Sequence, residues 1–456
     1  MMFNWHKKES PLLGSLGLGG GIGSKTFVGG GYQYWIATLG GASSDFGNDI
    51  ALDSSGNIFV VAYTQSDGAG GDEGYIAKYD NLGNLQWQRV LGGTGGDAFY
   101  GVAVDSSDNV CVCGHTSSEG AGSYDTLVVK YNNSGVLQWQ KRSGDQYTDR
   151  LYSIGADSSD NLCSVGQVVS TTGTQGGNSV AYYVYTSSGS LTYSKAFTLP
   201  SFNQYGRGIA TSGTDVYAIA HYDDQAAATR FEFWLAKINS SANIVWQRYL
   251  KTTSNNVTGA GVATDGSGNV YVAVYFVDGT NSTTVAKYNS SGSLQWQRKL
   301  TQTSYNITPT SIATDSDNNV YVTCNANGVG AGGNEMYIAK WNTSGTIQWQ
   351  RALGGTGTDN STGIKVIDGI MYIVGATQSA GEGGNDILIA KLPADGSLTG
   401  TYGSFTYQEV TAVTEAAGTL SSGSQSFSTD PYSPTSATST LTDSASTLTS
   451  TLTIIS

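Results

Sequence analysis

The 456-residue sequence predicts an all-β fold, a seven-bladed β-propeller of four-stranded antiparallel blades with extended N- and C-terminal arms. Three observations carry that reading. The composition suits strands: 28 Tyr and 9 Trp stand among 39% hydrophobic residues, while only 12% are charged, about half of the usual ~25%. A marker segment recurs: LQWQRVLGG around Trp87 returns as LQWQKRSG at Trp139, LTYSKAF at Tyr193, IVWQRYL at Trp246, LQWQRKL at Trp296 and IQWQRALGG at Trp349, and YQYWIATLGG at Trp35 is an imperfect first copy. These aromatics lie 52, 52, 54, 53, 50 and 53 residues apart. Finally, a strand ending in Lys before a turn falls at Lys78, Lys130, Lys237, Lys287, Lys340 and Lys391, with Val184 in the equivalent place of the third unit. Seven aromatic markers alternating with seven strand markers make seven units, and four strands in a repeat of about 50 residues describe a propeller blade.

Each element of a unit is legible in turn. In the second unit GVAVD (101–105), NVCVCGH (109–115), DTLVVKY (125–131) and VLQWQKR (136–142) alternate with period two and are separated by turn residues, so each reads as a strand with a core face. One blade cannot bury both faces alone, so each packs on the next until the ring closes. Trp87 and its equivalents are expected to fill the seams between blades. Asp53, Asp105, Asp157, Asp265 and Asp315 are each followed four residues later by Asn57, Asn109, Asn161, Asn269 and Asn319, a pattern that makes a hairpin between the first two strands. The same DxSxN run can be read as a calcium loop, but it lacks the acidic density of one. In the last unit the turn shrinks to Asp368-Gly369, which favours a type I′ hairpin.

The phase of the repeat predicts how the ring closes. The chain enters on a strand of the LQWQR type at Trp35 and leaves its last repeat on a strand of the IAK type at Lys391, so the first strand is expected to complete the seventh blade. LTGTY (398–402) competes for the slot but carries Gly400 where the Trp would stand. The domain plan is a Gly-rich N-terminal arm over 1–31, the propeller over 32–402 and a Ser/Thr-rich assembly segment over 403–456.

Composition also excludes functions. With 22 basic against 35 acidic residues the net charge is -13, which disfavours a phosphate-tracking surface and hence nucleic acid as a partner. No run of about 18 apolar residues is present, so no helical membrane span is predicted. Cys111, Cys113, Cys163 and Cys324 are too few for a disulfide framework and lack the CxxC spacing of a zinc site, and Cys111 and Cys163 align with Phe59, Tyr271, Tyr321 and Tyr372 of other units and read as strand core. The start of the chain, MMFNWHKKESPLLGSLGLGG, has its leucine stretch broken by glycines and no AxA-like cleavage site, so it reads as a flexible Gly-rich arm rather than a secretory signal.

The stretches GVAVDSSDNVCVCGHTSS with DTLVVKYNNSGVLQWQK, and GVATDGSGNVYVAVY with TVAKYNSSGSLQWQR, resemble the bacterial seven-bladed propeller repeats known as SBBP repeats, over roughly 32–402. That resemblance implies the fold and supplies no catalytic residue. Proteins with such repeats include secreted bacterial proteins and structural proteins of tailed phages, and the leader is more like that of a phage virion protein. Units three and four depart from the pattern, with Tyr193 for Trp and Val184 for Lys.

Chemistry is sought on the loops. The connections between blades, LGGTGGD (91–97) and LGGTGTD (353–359), should share one face with those between second and third strands, SDGAGGDEG (66–74), SSEGAGSYD (117–125), NGVGAGGNE (327–335) and QSAGEGGND (378–386). Asp67, Asp72, Asp97, Glu119, Tyr124, Asp359 and Asn385 are the candidate binding residues of that loop face. The Gly-rich loops lack the GKS or GKT of a phosphate cradle. Histidines occur only at 6, 115 and 221, too few for a His-based metal site or triad, and Asp223 with Asp224 has no opposing carboxylate that sequence places. No catalytic residue, cofactor or metal ligand is therefore assigned.

The expected role is a non-enzymatic structural or adhesive propeller of a tailed-phage virion, tail-associated. It would dock to other virion proteins through both terminal arms and present its loop face to a partner or a host surface glycan. The alternatives are a secreted bacterial binding or adhesion module and a propeller glycan hydrolase or lyase. The C-terminal segment, where Leu441, Leu448, Leu452 and Ile454 punctuate a polar run, has too little apolar surface to order by itself and is expected to be held by partners.

Overall fold

Four-stranded antiparallel blades form wherever the alternating segments lie, because each alternates one apolar face with turn residues at both ends. The computed structural model describes residues 33–169, 177–198, 202–224, 230–251, 257–278, 280–330, 332–418, 421–423, 428–431, 435–439 and 441–455. The 1–31 arm lies outside them. Blade 1 runs Asp45–Leu52, Ile58–Thr64, Glu73–Tyr79 and Leu85–Gly92, and blade 2 Asp97–Val104, Val110–Thr116, Asp125–Tyr131 and Leu137–Gly144. Blade 3 comprises Arg150–Ala156, Leu162–Val169, Asn178–Tyr185 and Leu191–Thr198, and blade 4 Phe202–Ser212, Asp215–Asp224, Arg230–Ile238 and Ile244–Lys251. Blade 5 follows as Val257–Thr264, Val270–Asp278, Thr280–Tyr288 and Leu294–Thr301, and blade 6 as Ile307–Thr314, Val320–Asn327, Asn334–Trp341 and Ile347–Gly354. Blade 7 takes Asp359–Ile367, Ile370–Thr377 and Asp386–Pro393 from the end of the repeat and Tyr34–Gly40 from its start. The first strand of each blade packs beside that of the next, so the seven first strands surround the axis.

The strand at Trp35 closes the ring, with Trp35 opposite Lys391 and Ile36 opposite Ala390. The competing segment takes a different course: Gly400–Tyr402 pairs with Phe405–Glu409 in a short hairpin on the outside of blade 6.

That hairpin begins an element the sequence reading did not foresee. The C-terminal segment runs around the outside of the ring against the chain direction and adds a fifth strand to every blade. Phe405–Glu409 pairs with blade 6, Thr414–Ala417 with blade 5, Ser421–Gly423 with blade 4 and Ser428–Pro431 with blade 3. Thr435–Thr438 then takes blade 2, Thr442–Ala445 blade 1, and Thr449–Ile455 the closing strand of blade 7. In the structure these residues pair with the propeller itself. One apolar residue arrives at every seventh position, Val413, Leu420, Phe427, Pro434, Leu441, Leu448 and Ile455. Among the described residues, Val413, Leu441, Leu448 and Ile455 are buried. Two of the glutamines that follow a marker Trp hold the belt: Gln88 Nε2 donates to the carbonyls of Ser446 and Leu448, and Gln140 Nε2 to that of Leu441.

The marker tryptophans fill the seams as expected, and they also latch onto the neighbouring blade. Trp87 Nε1 donates to Asn133 O (3.0 Å), Trp139 to Ser187 O (3.1 Å), Trp246 to Ser290 O (3.0 Å) and Trp296 to Thr343 O (3.0 Å), each in the third-strand turn of the next blade. The ring lies on that turn's glycine: a Cβ on Gly135, which has φ 77°, would meet the Trp87 ring at 2.7 Å. Arg89, Arg248, Arg298 and Arg351 add a second bond, Nε to the carbonyl of Gly135, Gly292, Gly345 and Gly396. The marker lysines work beside them, with Lys78, Lys130, Lys237 and Lys340 facing Asp53, Asp105, Asp215 and Asp315. In the DxSxN turns the Asp carboxylate accepts from the amide of the Asn four residues on, as Asp53 does from Asn57 N (2.8 Å), so these carboxylates are engaged by the chain's own donors.

The LGG segments have a matching cause. Glu73 and Asp97 flank Gly92, where an added Cβ would lie 1.5 Å from Glu73 Oε2 and 2.9 Å from Asp97 Oδ2. Glu335 with Asp359 at Gly354, and Asp386 with Asp45 at Gly40, repeat the arrangement. All six carboxylates are buried. Burial, reinforced by the Asp97 charge, raises the Glu73 carboxyl to about 7, and burial with Asp45 raises Asp386 to about 6. A raised pKa in the folded state gives stability that is present below the unfolded value and lost as pH climbs through the folded one. His115 and His221, driven down to about 3 by burial and the neighbouring arginines, act in the opposite sense between there and the ordinary histidine range. The Glu73 contribution is therefore read from a difference. Glu73→Gln, whose amide can donate to Asp97, is expected to gain melting temperature over the wild type progressively between pH 4.5 and 7 and to hold that gain above. Thermal scans of both proteins across this range check it, and a pH-independent difference contradicts it.

Candidate ligand-binding rim

The two loop sets do share a face. Gly71 N donates to Gly95 O and Ser117 N to Gly96 O, so the connection between blades 1 and 2 is held between the second-to-third-strand loops of both, and Gly333 N to Gly357 O with Gln378 N to Thr358 O repeats this between blades 6 and 7. Most of the candidate loop residues turn out to serve that packing or the belt. Asp97 and Asp359 are buried caps: Asp97 accepts from Gly93 N and Ser118 Oγ, Asp359 from Gly355 N and Ser379 Oγ. Asp67 accepts from Ser446 Oγ and Thr447 N, and Glu119 from Ser439 Oγ, so both hold the C-terminal belt. Asp72 accepts from Gln65 Nε2 (2.8 Å), while the backbone carbonyl of Asn385 accepts from Asp45 N and its backbone N–H donates to Ser44 Oγ. Only Tyr124 joins the group described next, with Asp72 near its edge.

That group lies at the axis on the loop face of blades 2 to 4. Every inner strand carries a β-bulge at the same place, and the bulged residues are Asn48, Tyr100, Tyr152, Arg207, Ala260, Thr310 and Thr362. An inserted residue bends a strand and re-aims a side chain. Where these residues are small and polar they stitch neighbouring inner strands, Asn48 Nδ2 to Phe99 O and Thr362 Oγ1 to Gly47 O. In blades 2 to 4 they are Tyr, Tyr and Arg. Tyr100 packs on Tyr152 (5.4 Å between centroids) and on His115 (5.4 Å), and His115 meets Tyr124 edge-on (4.5 Å). The Arg150 guanidinium lies 4.1 Å over the Tyr124 ring, and that of Arg207 5.2 Å over Tyr152 and 5.8 Å from Tyr205. Arg207 Nε donates to His221 Nδ1 (3.3 Å), and Tyr205 packs on His221 (5.1 Å).

The electrostatics set this rim apart. Arg89, Arg142, Arg298 and Arg351 each face a carboxylate. Among the described residues Arg150, Arg207 and Arg248 face none; Arg248 donates to the carbonyls of Gly292 and Gln247, while Arg150 and Arg207 lie at this rim, in a chain whose net charge is -13. Arg207 is exposed and Arg150, Tyr100, Tyr124, Tyr152 and Tyr205 are half-buried. Burial keeps His115 and His221 neutral down to about pH 3, so the positive charge of the rim is that of its two arginines. Planar rings with adjacent guanidinium forks suit a ligand that offers flat apolar faces and carboxylate or sulfate groups. Of this rim the loop-based reading held only Tyr124, because the other residues sit within strands. The signal was in the repeat: at equivalent positions of blades 5 to 7 the residues are Thr258, Ala260, Thr308, Thr310, Asn360 and Thr362.

The fold defines the class of protein: a seven-bladed β-propeller, without a helix among the described residues and hence with none long and apolar enough to cross a membrane. A family model described as a beta-propeller repeat, SBBP, matches residues 35–68, 245–273 and 295–330. An uncharacterized WD repeat-containing protein of Acanthamoeba polyphaga mimivirus is 24% identical over 154 residues, covering 23% of this chain and 11% of that protein. Among solved structures, a protein of unknown function from Dyadobacter fermentans is similar with a TM-score of 0.48 at 10% identity, over 79% of this chain and 98% of that one. The β-propeller domain of the Trilobed protease from Pyrococcus furiosus gives 0.44 at 10% identity, over 77% and 96%. These likenesses concern the fold.

Proposed function

We propose that this chain is a non-enzymatic adhesive β-propeller of a tailed-phage virion, tail-associated, whose loop-face rim takes an acidic glycan on a host surface. One observation supports the rim assignment above the others: a scaffold that repeats seven times needs no difference between its blades at the axis, yet three adjacent blades carry Tyr100, Tyr152 and Arg207 where the other four have the smaller Asn48, Ala260, Thr310 and Thr362. Aromatic rings contribute contact area against sugar faces, and Arg150 and Arg207, neither of which faces a carboxylate, contribute charge. The C-terminal segment is engaged by the ring itself, so residues 1–31 are assigned to docking on neighbouring subunits.

The test uses the full chain against immobilised acidic and neutral polysaccharides. Binding is expected to acidic chains, to weaken as salt rises, and to fall at least tenfold in the Arg150→Ala/Arg207→Ala double variant, about 1.4 kcal/mol or more. Release of reducing ends from the bound polymer, or equal retention of neutral chains, overturns the reading. Detection of the chain by mass spectrometry in purified particles checks its setting, and absence there removes the virion.

A further inference from the structure

The same use of the repeat as its own control leads to a second site, on the opposite face between blades 3 and 4. In six blades the third strand ends in a lysine whose ammonium meets one or both of two kinds of acceptor. One is the carboxylate of the same blade's first turn, as for Lys130 with Asp105 (2.7 Å). The other is a carbonyl in the next blade's third-strand turn: Lys130 to Ser187 O (3.0 Å), Lys287 to Thr343 O (3.3 Å), Lys391 to Asn81 O (2.7 Å). Blade 3 has both acceptors and no lysine. Asp157 is held as Asp105 is, accepting from Ser159 N, Asn161 N and Asn161 Nδ2. Ser240 occupies the place of Ser187 in the turn of blade 4, which Asn239 N closes onto Asn243 O. Val184 stands opposite Cys163 and Tyr193, as Lys130 stands opposite Cys111 and Trp139.

Two large side chains have thus been traded for smaller ones at one place. The result is a cavity of about 150 Å³ lined by Asp157, Asn161, Tyr182, Val184, Tyr193 and Ser240, among others. Asp157 is buried, and among the described residues no cation faces it. A buried carboxylate is stabilised by a paired, hydrogen-bonding cation, and the tyrosines of this wall suit an alkylammonium.

We propose that this cavity binds an unbranched primary ammonium group, which takes the position that a lysine side chain fills in the other six blades. Its ammonium pairs with Asp157 and donates to the carbonyl of Ser240, and its alkyl stem lies against Val184 and the tyrosines. The group belongs either to a small free amine or to a lysine side chain of another polypeptide, which share this chemistry.

Thermal shift and calorimetry on the full chain test the site with n-butylammonium, and with n-butanol as the neutral control. Butylammonium is expected to raise the melting temperature of the wild type and leave Asp157→Asn unmoved, while butanol does nothing. Val184→Lys supplies the ammonium from within: it is expected to melt roughly 2–4 °C higher and to lose its response to butylammonium. A parallel titration with Nα-acetyl-lysine methylamide assigns the source, since binding of both probes admits a peptide lysine and binding of butylammonium alone restricts the site to free amines. Equal shifts by butylammonium in wild type and Asp157→Asn, an equal effect of butanol, or no response of the wild type together with no gain in Val184→Lys, overturns the proposal.

Discussion

A chain ending at Tyr402 is expected to melt on the order of 10 °C below the full protein and to leave solution as aggregates on heating. The belt puts Phe405, Tyr407, Val410, Val413, Leu441, Leu448 and Ile455 into buried positions, each worth roughly 1.5–3 kcal/mol in transfer from water. Much of that gain offsets the entropy of ordering a polar segment, so the net loss is a fraction of the sum. The second consequence is the larger one. Without the belt all seven blades present the outer edge of their fourth strand, such as Leu137–Gly144, and an unpaired edge is a template for pairing with another chain. Light scattering during a thermal ramp, with the truncated and full chains side by side, measures both effects. Equal melting temperatures and equal scattering contradict the belt.

The second large effect is expected at the closure. Trp35 is fully buried, packs 6.1 Å from Tyr79, and donates through Nε1 to Asn81 O across the seam between blades 7 and 1. Trp35→Ala removes the largest side chain of the one strand that joins the ends of the repeat, at a cost of about 3–5 kcal/mol. Trp87→Ala makes the same chemical change at a seam whose blades are covalently consecutive, and Trp87 is only partly buried, so its loss is expected to be smaller. Denaturant unfolding of both variants gives the comparison, and a Trp87 variant as damaged as the Trp35 variant denies the closure its special place.

How much of this was legible in the sequence follows from the length scale of each signal. The blades were readable because their markers recur at about 50 residues with an aromatic residue every time, and the phase of Trp35 against Lys391 was enough to favour the correct closing strand. The belt was missed because its period is seven residues in a Ser/Thr-rich run, with one apolar residue per step. Val413, Leu441, Leu448 and Ile455 each meet a different blade, and composition alone cannot say that seven ready-made edges await them. The loop candidates rest on their place in the loop-built face, yet Asp97 and Asp359 are buried caps and Asp67 and Glu119 hold the belt. A loop aspartate flanked by glycines is as useful for satisfying a tight turn's amides as for meeting a ligand. Tyr100, Tyr152 and Arg207 lie on strands that read as core, and only their difference from Ala260, Thr310 and Thr362 marks them.

That difference also provides the most direct test. Tyr152→Ala and Arg207→Ala on one side of the axis are measured against Thr310→Ala and Thr362→Ala at the equivalent bulges on the other, by affinity for the same acidic polysaccharide at fixed salt. The rim account predicts at least a tenfold loss for the first pair and unchanged binding for the second. Equal losses in both pairs, or unchanged binding in all four, contradict it.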